Sequence, residues 1–124
     1  MMKFYICKHC GNIVTKLTSA GVPLVCCGEE MSLLEAGVTD AAVEKHVPAV
    51  TVDGNLVKVS VGSVTHPMTE EHYIQWVYVE TENGGQRRAF KPGGTPEATF
   101  CVGEDKPIAV YAYCNLHGLW KTEL

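Results

Sequence analysis

Positive charge is in short supply in this chain of 124 residues: ten Lys and Arg stand against fourteen Asp and Glu, for a formal charge of -4. A protein that tracks a phosphate backbone needs a clustered basic face, so nucleic acid is not an expected partner. Long apolar runs are missing as well. No stretch approaches the roughly 18 to 20 residues that cross a bilayer, and no membrane association is expected. The opening Met1-Met2-Lys3-Phe4-Tyr5-Ile6-Cys7 carries neither a long apolar core nor a small-residue cleavage site, which places the expected location in the cytoplasm. There is no internal repeat, no low-complexity tract and no glycine-rich phosphate loop. The length suits about one domain with room for a small appended module.

Sulfur and imidazole are present in more than ordinary measure, with six cysteines and five histidines. Cys7-Lys8-His9-Cys10 is followed at a distance by the adjacent pair Cys26-Cys27. A disulfide framework is one reading of such a chain. Reduced cytoplasmic thiols and the awkwardness of pairing two neighbouring cysteines favour metal binding instead. Residues 1 to about 36 read as a compact, strand-poor knuckle. Phe4-Tyr5-Ile6 leads into Cys7-x-x-Cys10-Gly11-Asn12, a tight turn that lets backbone N–H groups point back at sulfur. Ile13 to Leu17 and Leu24 to Gly28 read as short strands on either side of a turn. A segment below about 40 residues rarely holds itself together by apolar burial, and four thiolates around one ion would staple it. Common four-cysteine motifs have CxxC in both halves; here the second half is CC, so angles around the ion should depart from tetrahedral. Ligand identity alone permits zinc or iron. His9 reads as an exposed side chain.

Gly37 to Asp40 reads as a linker ending in a helix N-cap, with one short turn over Ala41 to Lys45. From Val47 onward the period becomes two. Val50 and Val52 precede the hairpin signal Asp53-Gly54, and Val57, Val59 and Val61 alternate with Lys58 and Ser60. Further strands are expected over Tyr73 to Glu80, Arg87 to Phe90, Ala98 to Val102 and Ile108 to Tyr113, with a short edge at Leu119 to Lys121. Strands of this length and spacing predict an immunoglobulin-like antiparallel β-sandwich, in an all-β chain. Cys101 is expected in the core as a small hydrophobe, and Trp76, Tyr78 and Trp120 as packing residues.

The second set of metal-binding side chains lies in this region. His46 and His66 each stand within two residues of a proline, on backbone that resists helix. His66 and His72 bracket a loop, and Cys114-Asn115-Leu116-His117 occurs where the last long strand ends, with Asn115 and Gly118 allowing a sharp turn. All four rings fall at strand ends or in loops, where β-sandwiches build their sites. Four neutral imidazoles and one thiolate exceed what tetrahedral zinc takes, and their mixed softness suits a redox-active first-row metal. With four rings in a plane and sulfur on the axis, the sixth position is open, and a divalent ion there draws small anions.

Glu44-Lys45-His46-Val47-Pro48, Gly62-Ser63-Val64-Thr65-His66-Pro67-Met68, His72-Tyr73-Ile74-Gln75-Trp76 and Tyr113-Cys114-Asn115-Leu116-His117-Gly118-Leu119-Trp120 resemble the motifs of the desulfoferrodoxins, the two-iron superoxide reductases. The resemblance covers essentially the whole chain. It implies a desulforedoxin-like iron domain at 1–36 and an immunoglobulin-like superoxide reductase domain at 37–124. It implies two iron ions per chain: one held by Cys7, Cys10, Cys26 and Cys27, the other by His46, His66, His72 and His117 with Cys114 on the axis. Glu44 and Lys45 match the family's mobile pair beside the open position, where the carboxylate closes that position in the ferric state and the lysine faces the substrate. The reaction implied is one-electron reduction of superoxide to hydrogen peroxide, with rubredoxin or a similar protein as electron donor and a homodimer as the assembly. A non-catalytic iron electron-transfer protein and a zinc-stabilised binding module are the alternatives.

Overall fold

The computed structural model describes residues 1–124, which divide into two compact units, Met1–Glu35 and Ala36–Leu124. In the first, the central strand β1 (Phe4–Ile6) pairs antiparallel with β2 (Ile13–Thr15) on one side. The two-residue strand β5 (Ser32–Leu33) closes its other side, and β3 (Val25–Cys26) and β4 (Glu29–Glu30) form a separate ribbon. The two expected strands, β2 and β3, are therefore shorter than their apolar runs; β1, β4 and β5 are additional, and β2 and β3 pair with β1 and β4 instead of forming a hairpin with each other. Between β1 and β2 the chain turns tightly: the Gly11 N–H donates to the Cys7 carbonyl at 2.8 Å and the Cys7 N–H to the Asn12 carbonyl at 2.9 Å. Gly11 takes φ 84 there, which explains the glycine. Only Phe4, Cys7 and Met31 are buried in this unit. Three side chains make no self-sufficient core, so the unit depends on something other than apolar burial.

In the second unit, one helical turn, α1 (Val43–His46), precedes seven strands in two antiparallel sheets. The first sheet sets β7 (Leu56–Val61) between β6 (Pro48–Asp53) and β10 (Glu97–Cys101). The second runs β12 (Gly118–Glu123), β11 (Pro107–Cys114), β8 (Ile74–Thr81) and β9 (Gly84–Ala89). This is the two-sheet sandwich read from the alternating pattern. Val57, Val59 and Val61 point inward from β7, Ala98 and Phe100 from β10, Val77 and Val79 from β8, and Val110, Ala112 and Cys114 from β11. Each fully buried valine contributes about 1.5 to 2 kcal/mol through apolar area removed from water. The last member of the β11 row is a cysteine, so the core ends in a sulfur at one end of the sandwich.

Two expectations are corrected here. The cap of α1 is Ala42, with no side-chain cap hydrogen bond, and Asp40 does not serve. Cys101 is exposed: with Ala98 and Phe100 facing inward, the strand period of two turns Cys101 to solvent. Val77→Ala should therefore lower stability by about 2 to 3 kcal/mol, while Cys101→Ser should stay within about 0.5 kcal/mol of the parent in urea unfolding followed by tryptophan fluorescence. A destabilisation of Cys101→Ser as large as that of Val77→Ala would contradict this packing.

Candidate metal centres

In the first unit, the four sulfurs of Cys7, Cys10, Cys26 and Cys27 lie within 4.8 Å of one another, and none is in a disulfide. Cys10 Sγ is 3.7 Å from Cys26 Sγ, which is 4.0 Å from Cys27 Sγ. The centre of a tetrahedron with such edges lies about 2.3 to 2.4 Å from each corner, the length of a metal–thiolate bond. The adjacent ligands are accommodated by the backbone: Cys27 takes φ 53, a left-handed conformation that few non-glycine residues adopt, and Gly28 follows at φ 74. Backbone N–H groups of Cys10 and His9 point at the Cys7 sulfur and hold its pKa down at about 6. Cys27 is pushed up to about 12, chiefly by sharing its proton with Cys10. The same four atoms thus resist full ionisation until a cation joins them. His9 is exposed, as expected, and its Nε2 pairs with the Glu29 carboxylate.

In the second unit, the donor atoms of His46, His66, His72, Cys114 and His117 all lie within 4.8 Å of one another. The rings form a cycle. Neighbouring centroids are 4.5 Å apart for His46–His66, 4.6 Å for His66–His72, 4.9 Å for His72–His117 and 4.9 Å for His46–His117. Neighbours meet nearly edge to face, at 77° to 87°, and the opposite pair His46–His72 is 6.3 Å apart.

The tautomers follow from the outer hydrogen bonds. His46 Nδ1 lies 2.7 Å from the Ala42 carbonyl and His66 Nδ1 lies 2.6 Å from the Pro67 carbonyl. A carbonyl only accepts, so both Nδ1 atoms carry the proton and both Nε2 atoms present bare lone pairs. Those two Nε2 atoms face each other at 3.0 Å, and His46 Nε2 is 3.1 Å from His117 Nδ1. Around a square of that edge the central point lies about 2.1 to 2.2 Å from each nitrogen, the length of a metal–imidazole bond. His72 Nε2 is buried with no hydrogen-bond partner. Donor types, spacing and orphaned nitrogen all fit a first-row metal ion.

Burial lowers the pKa of His46, His66 and His72, that of His66 to about 4, so the rings are neutral in ordinary buffer. Burial pushes the Cys114 thiol up, opposed by N–H groups of Leu116 and His117 aimed at the sulfur. Cys114 closes β11 at a register shift against β8, where Tyr113 faces Trp76 but Cys114 faces Ile74. That irregularity re-aims the sulfur at the end of the core.

Two further residues hold the ring of ligands together. Asn115, expected only to help a turn, bridges to the His72 loop: its side chain accepts from the Tyr73 N–H at 3.0 Å and donates to the Glu71 carbonyl at 3.0 Å. Trp120 packs its ring 5.0 Å from that of His46 and donates its indole N–H to the His117 carbonyl at 3.0 Å. The Asn115 bridge and the Trp120–His46 contact have no local sequence signal, because each depends on a partner distant in the chain. Glu44 is exposed and Lys45 half-buried on α1, and the Lys45 charge adds to the forces that lower His46 and His72. Lys45 forms no ion pair.

Residues 38–123 match the family model for desulfoferrodoxin, and residues 1–34 match the model for the desulfoferrodoxin N-terminal domain. The chain is 50% identical over 121 residues to the desulfoferrodoxin of Nitratidesulfovibrio vulgaris, covering 98% of this chain and 95% of that one. Its fold is similar to the crystal structure of the superoxide reductase from Treponema pallidum, with a TM-score of 0.82 and 40% identity over 99% of both chains. The one-iron superoxide reductase of Giardia intestinalis matches at a TM-score of 0.55 and 38% identity, covering 65% of this chain and 99% of that one.

Asn115→Ala removes two hydrogen bonds that bracket His72. It should weaken metal binding at the histidine centre about 10- to 100-fold in a chelator competition, and unchanged affinity would contradict the bridging role. In metal-free protein, His66 titrates at about 4 when folded against 6.5 for an ordinary histidine. The unfolded chain therefore takes up this proton first as pH falls. Stability contributed by the neutral ring is complete above 6.5 and lost toward about 4. Thermal unfolding of the metal-free protein should move to lower temperature across that window, and a midpoint independent of pH there would count against a buried neutral His66.

Proposed function

The chain belongs to the desulfoferrodoxin family, and from that premise we propose that it is a superoxide reductase: superoxide takes up one electron and two protons and leaves as hydrogen peroxide. The observation that carries the proposal is the convergence of four imidazoles and one cysteine sulfur at the end of the sandwich. His46, His66, His72, His117 and Cys114 are assigned as the ligands of the catalytic iron, and Cys7, Cys10, Cys26 and Cys27 as those of the second iron. Held by these five residues, a ferrous ion would supply the electron, and the Cys114 sulfur would donate charge that favours its oxidation.

The protein's own residues bring the substrate in. Neutral rings and a single thiolate leave a divalent centre net cationic, and Lys45 adds a second positive charge on the adjacent turn. A small anion is thereby captured by the local field, although the chain as a whole carries -4. Glu44, on the same turn, is assigned to the open side of the ring, where a carboxylate competes with an anionic substrate for one place. N–H groups of Leu116 and His117 aimed at the Cys114 sulfur moderate how much charge it donates.

Residues 1–36 are assigned as the desulforedoxin-like iron domain and 37–124 as the reductase domain. The electron donor is assigned as rubredoxin or a similar small protein, the assembly as a homodimer and the compartment as the cytoplasm.

Pre-reduced protein mixed with superoxide should be oxidised stoichiometrically at the histidine centre, yielding peroxide with little dioxygen. Lys45→Ala should slow that bimolecular step about tenfold and flatten its dependence on ionic strength. Dioxygen in amounts matching a dismutase would overturn the reductase reading. An unchanged rate and salt slope would remove Lys45 from substrate capture.

A further inference from the structure

The turn that carries Glu44, Lys45 and His46 is too short to hold its own shape. Helices below about 12 to 15 residues are marginal in water, and α1 has four residues and no side-chain cap. Within the turn, the Val47 N–H donates to the Val43 carbonyl at 3.0 Å, and His46 Nδ1 reaches the Ala42 carbonyl at 2.7 Å. The Lys45 N–H also donates to the Ala42 carbonyl at 3.2 Å, and Trp120 packs on the His46 ring, while the hydrogen bonds to the Glu44 carbonyl come from the segment after β7. The Val64 N–H donates to the Glu44 carbonyl at 2.9 Å, and the Ser63 hydroxyl donates to the same oxygen at 3.3 Å.

Gly62 sits directly against this backbone. A Cβ placed on it would lie 2.5 Å from the Glu44 carbonyl oxygen, 2.9 Å from the Lys45 carbonyl carbon and 3.0 Å from the Val47 carbonyl oxygen. All three are main-chain atoms that cannot rotate out of the way. Gly62 does not adopt the left-handed φ of eight other glycines of the chain, so that conformation is not its reason. The missing side chain is what the position uses: it lets the two segments approach closely enough for both hydrogen bonds to form.

We propose that Gly62-Ser63-Val64 is a clamp that positions Glu44 and Lys45, holding the Glu44 carbonyl from outside so that the backbone from which the two charged side chains swing keeps one place beside the histidine ring. These are positioning residues, acting through Lys45 and Glu44, and the inference rests on the superoxide reductase reading. The clamp also ties the turn to the loop that ends in His66, since the His66 N–H returns to the Val61 carbonyl at 3.2 Å.

The test is a double-mutant cycle on the iron-loaded full chain, with Gly62→Ala and Ser63→Ala each made alone and combined with Lys45→Ala. Gly62→Ala should keep the iron content of the parent, lower the superoxide rate about tenfold and flatten its salt dependence. Ser63→Ala, which forces no backbone shift, should lower the rate about two- to threefold. In the Lys45→Ala background both effects should shrink to less than about twofold, because residues acting through one side chain are not additive. Amide hydrogen exchange over residues 44–47 should quicken in both variants, a readout independent of activity. Wild-type rate, salt slope and exchange in both variants, or full multiplication of effects with Lys45→Ala, would overturn the clamp. Should Gly62→Ala fail to fold, Ser63→Ala and its double variant decide alone. A parent protein that does not reduce superoxide would overturn the functional reading, while the exchange data would still decide whether the segment holds the turn.

Discussion

Two bare lone pairs, on His46 Nε2 and His66 Nε2, face each other at 3.0 Å inside a low-dielectric pocket. Both nitrogens have had their proton assigned elsewhere by carbonyls on the far side of the rings, so no hydrogen bond relieves the contact. Only a cation between them does. The rest of the second unit is arranged around that requirement: β11 delivers the sulfur, its hairpin delivers His117, and the loops before and after Pro67 deliver His66 and His72.

The two metal centres relate to their surroundings in opposite ways. In Met1–Glu35 almost nothing is buried, and Cys7 is itself one of the three buried side chains; there the ion substitutes for a core and its binding is folding energy. In Ala36–Leu124 the core exists without the metal. The row Val110, Ala112, Cys114 runs through it and ends in the ligand, so the packing of the sandwich itself places the sulfur. Such preorganisation suits a centre that must change oxidation state with little movement of its ligands.

Much of this was legible in the sequence where identity alone carries the chemistry. Thiolates and imidazoles bind metals wherever the fold puts them, and their motifs name them. The alternation of Val57, Val59 and Val61 with Lys58 and Ser60 likewise reads directly as a strand buried on one face. What escaped was whatever depends on a distant partner. Asn115 looks like a turn former until its amide is seen to bridge Glu71 and Tyr73. Asp40 looks like a helix cap, but α1 is fixed by tertiary hydrogen bonds from Ser63 and Val64 and needs none. Strands of two residues, such as β4 and β5, are too short to show a period. Cys101 departs from expectation for a different reason: free cysteine is usually buried, but the period of its own strand points this one outward.

The central claim is that five side chains from distant parts of a β-sandwich hold one iron ion with a vacant face. Anomalous diffraction at the iron absorption edge from crystals of the purified protein tests it most directly. For the reduced protein the account predicts an iron peak about 2.1 Å from the donor nitrogens of His46, His66, His72 and His117, with the Cys114 sulfur on one side and no protein ligand opposite. An iron-free ring, a zinc ion in its place, or an iron ion with a protein side chain at all six positions in the reduced protein would contradict it.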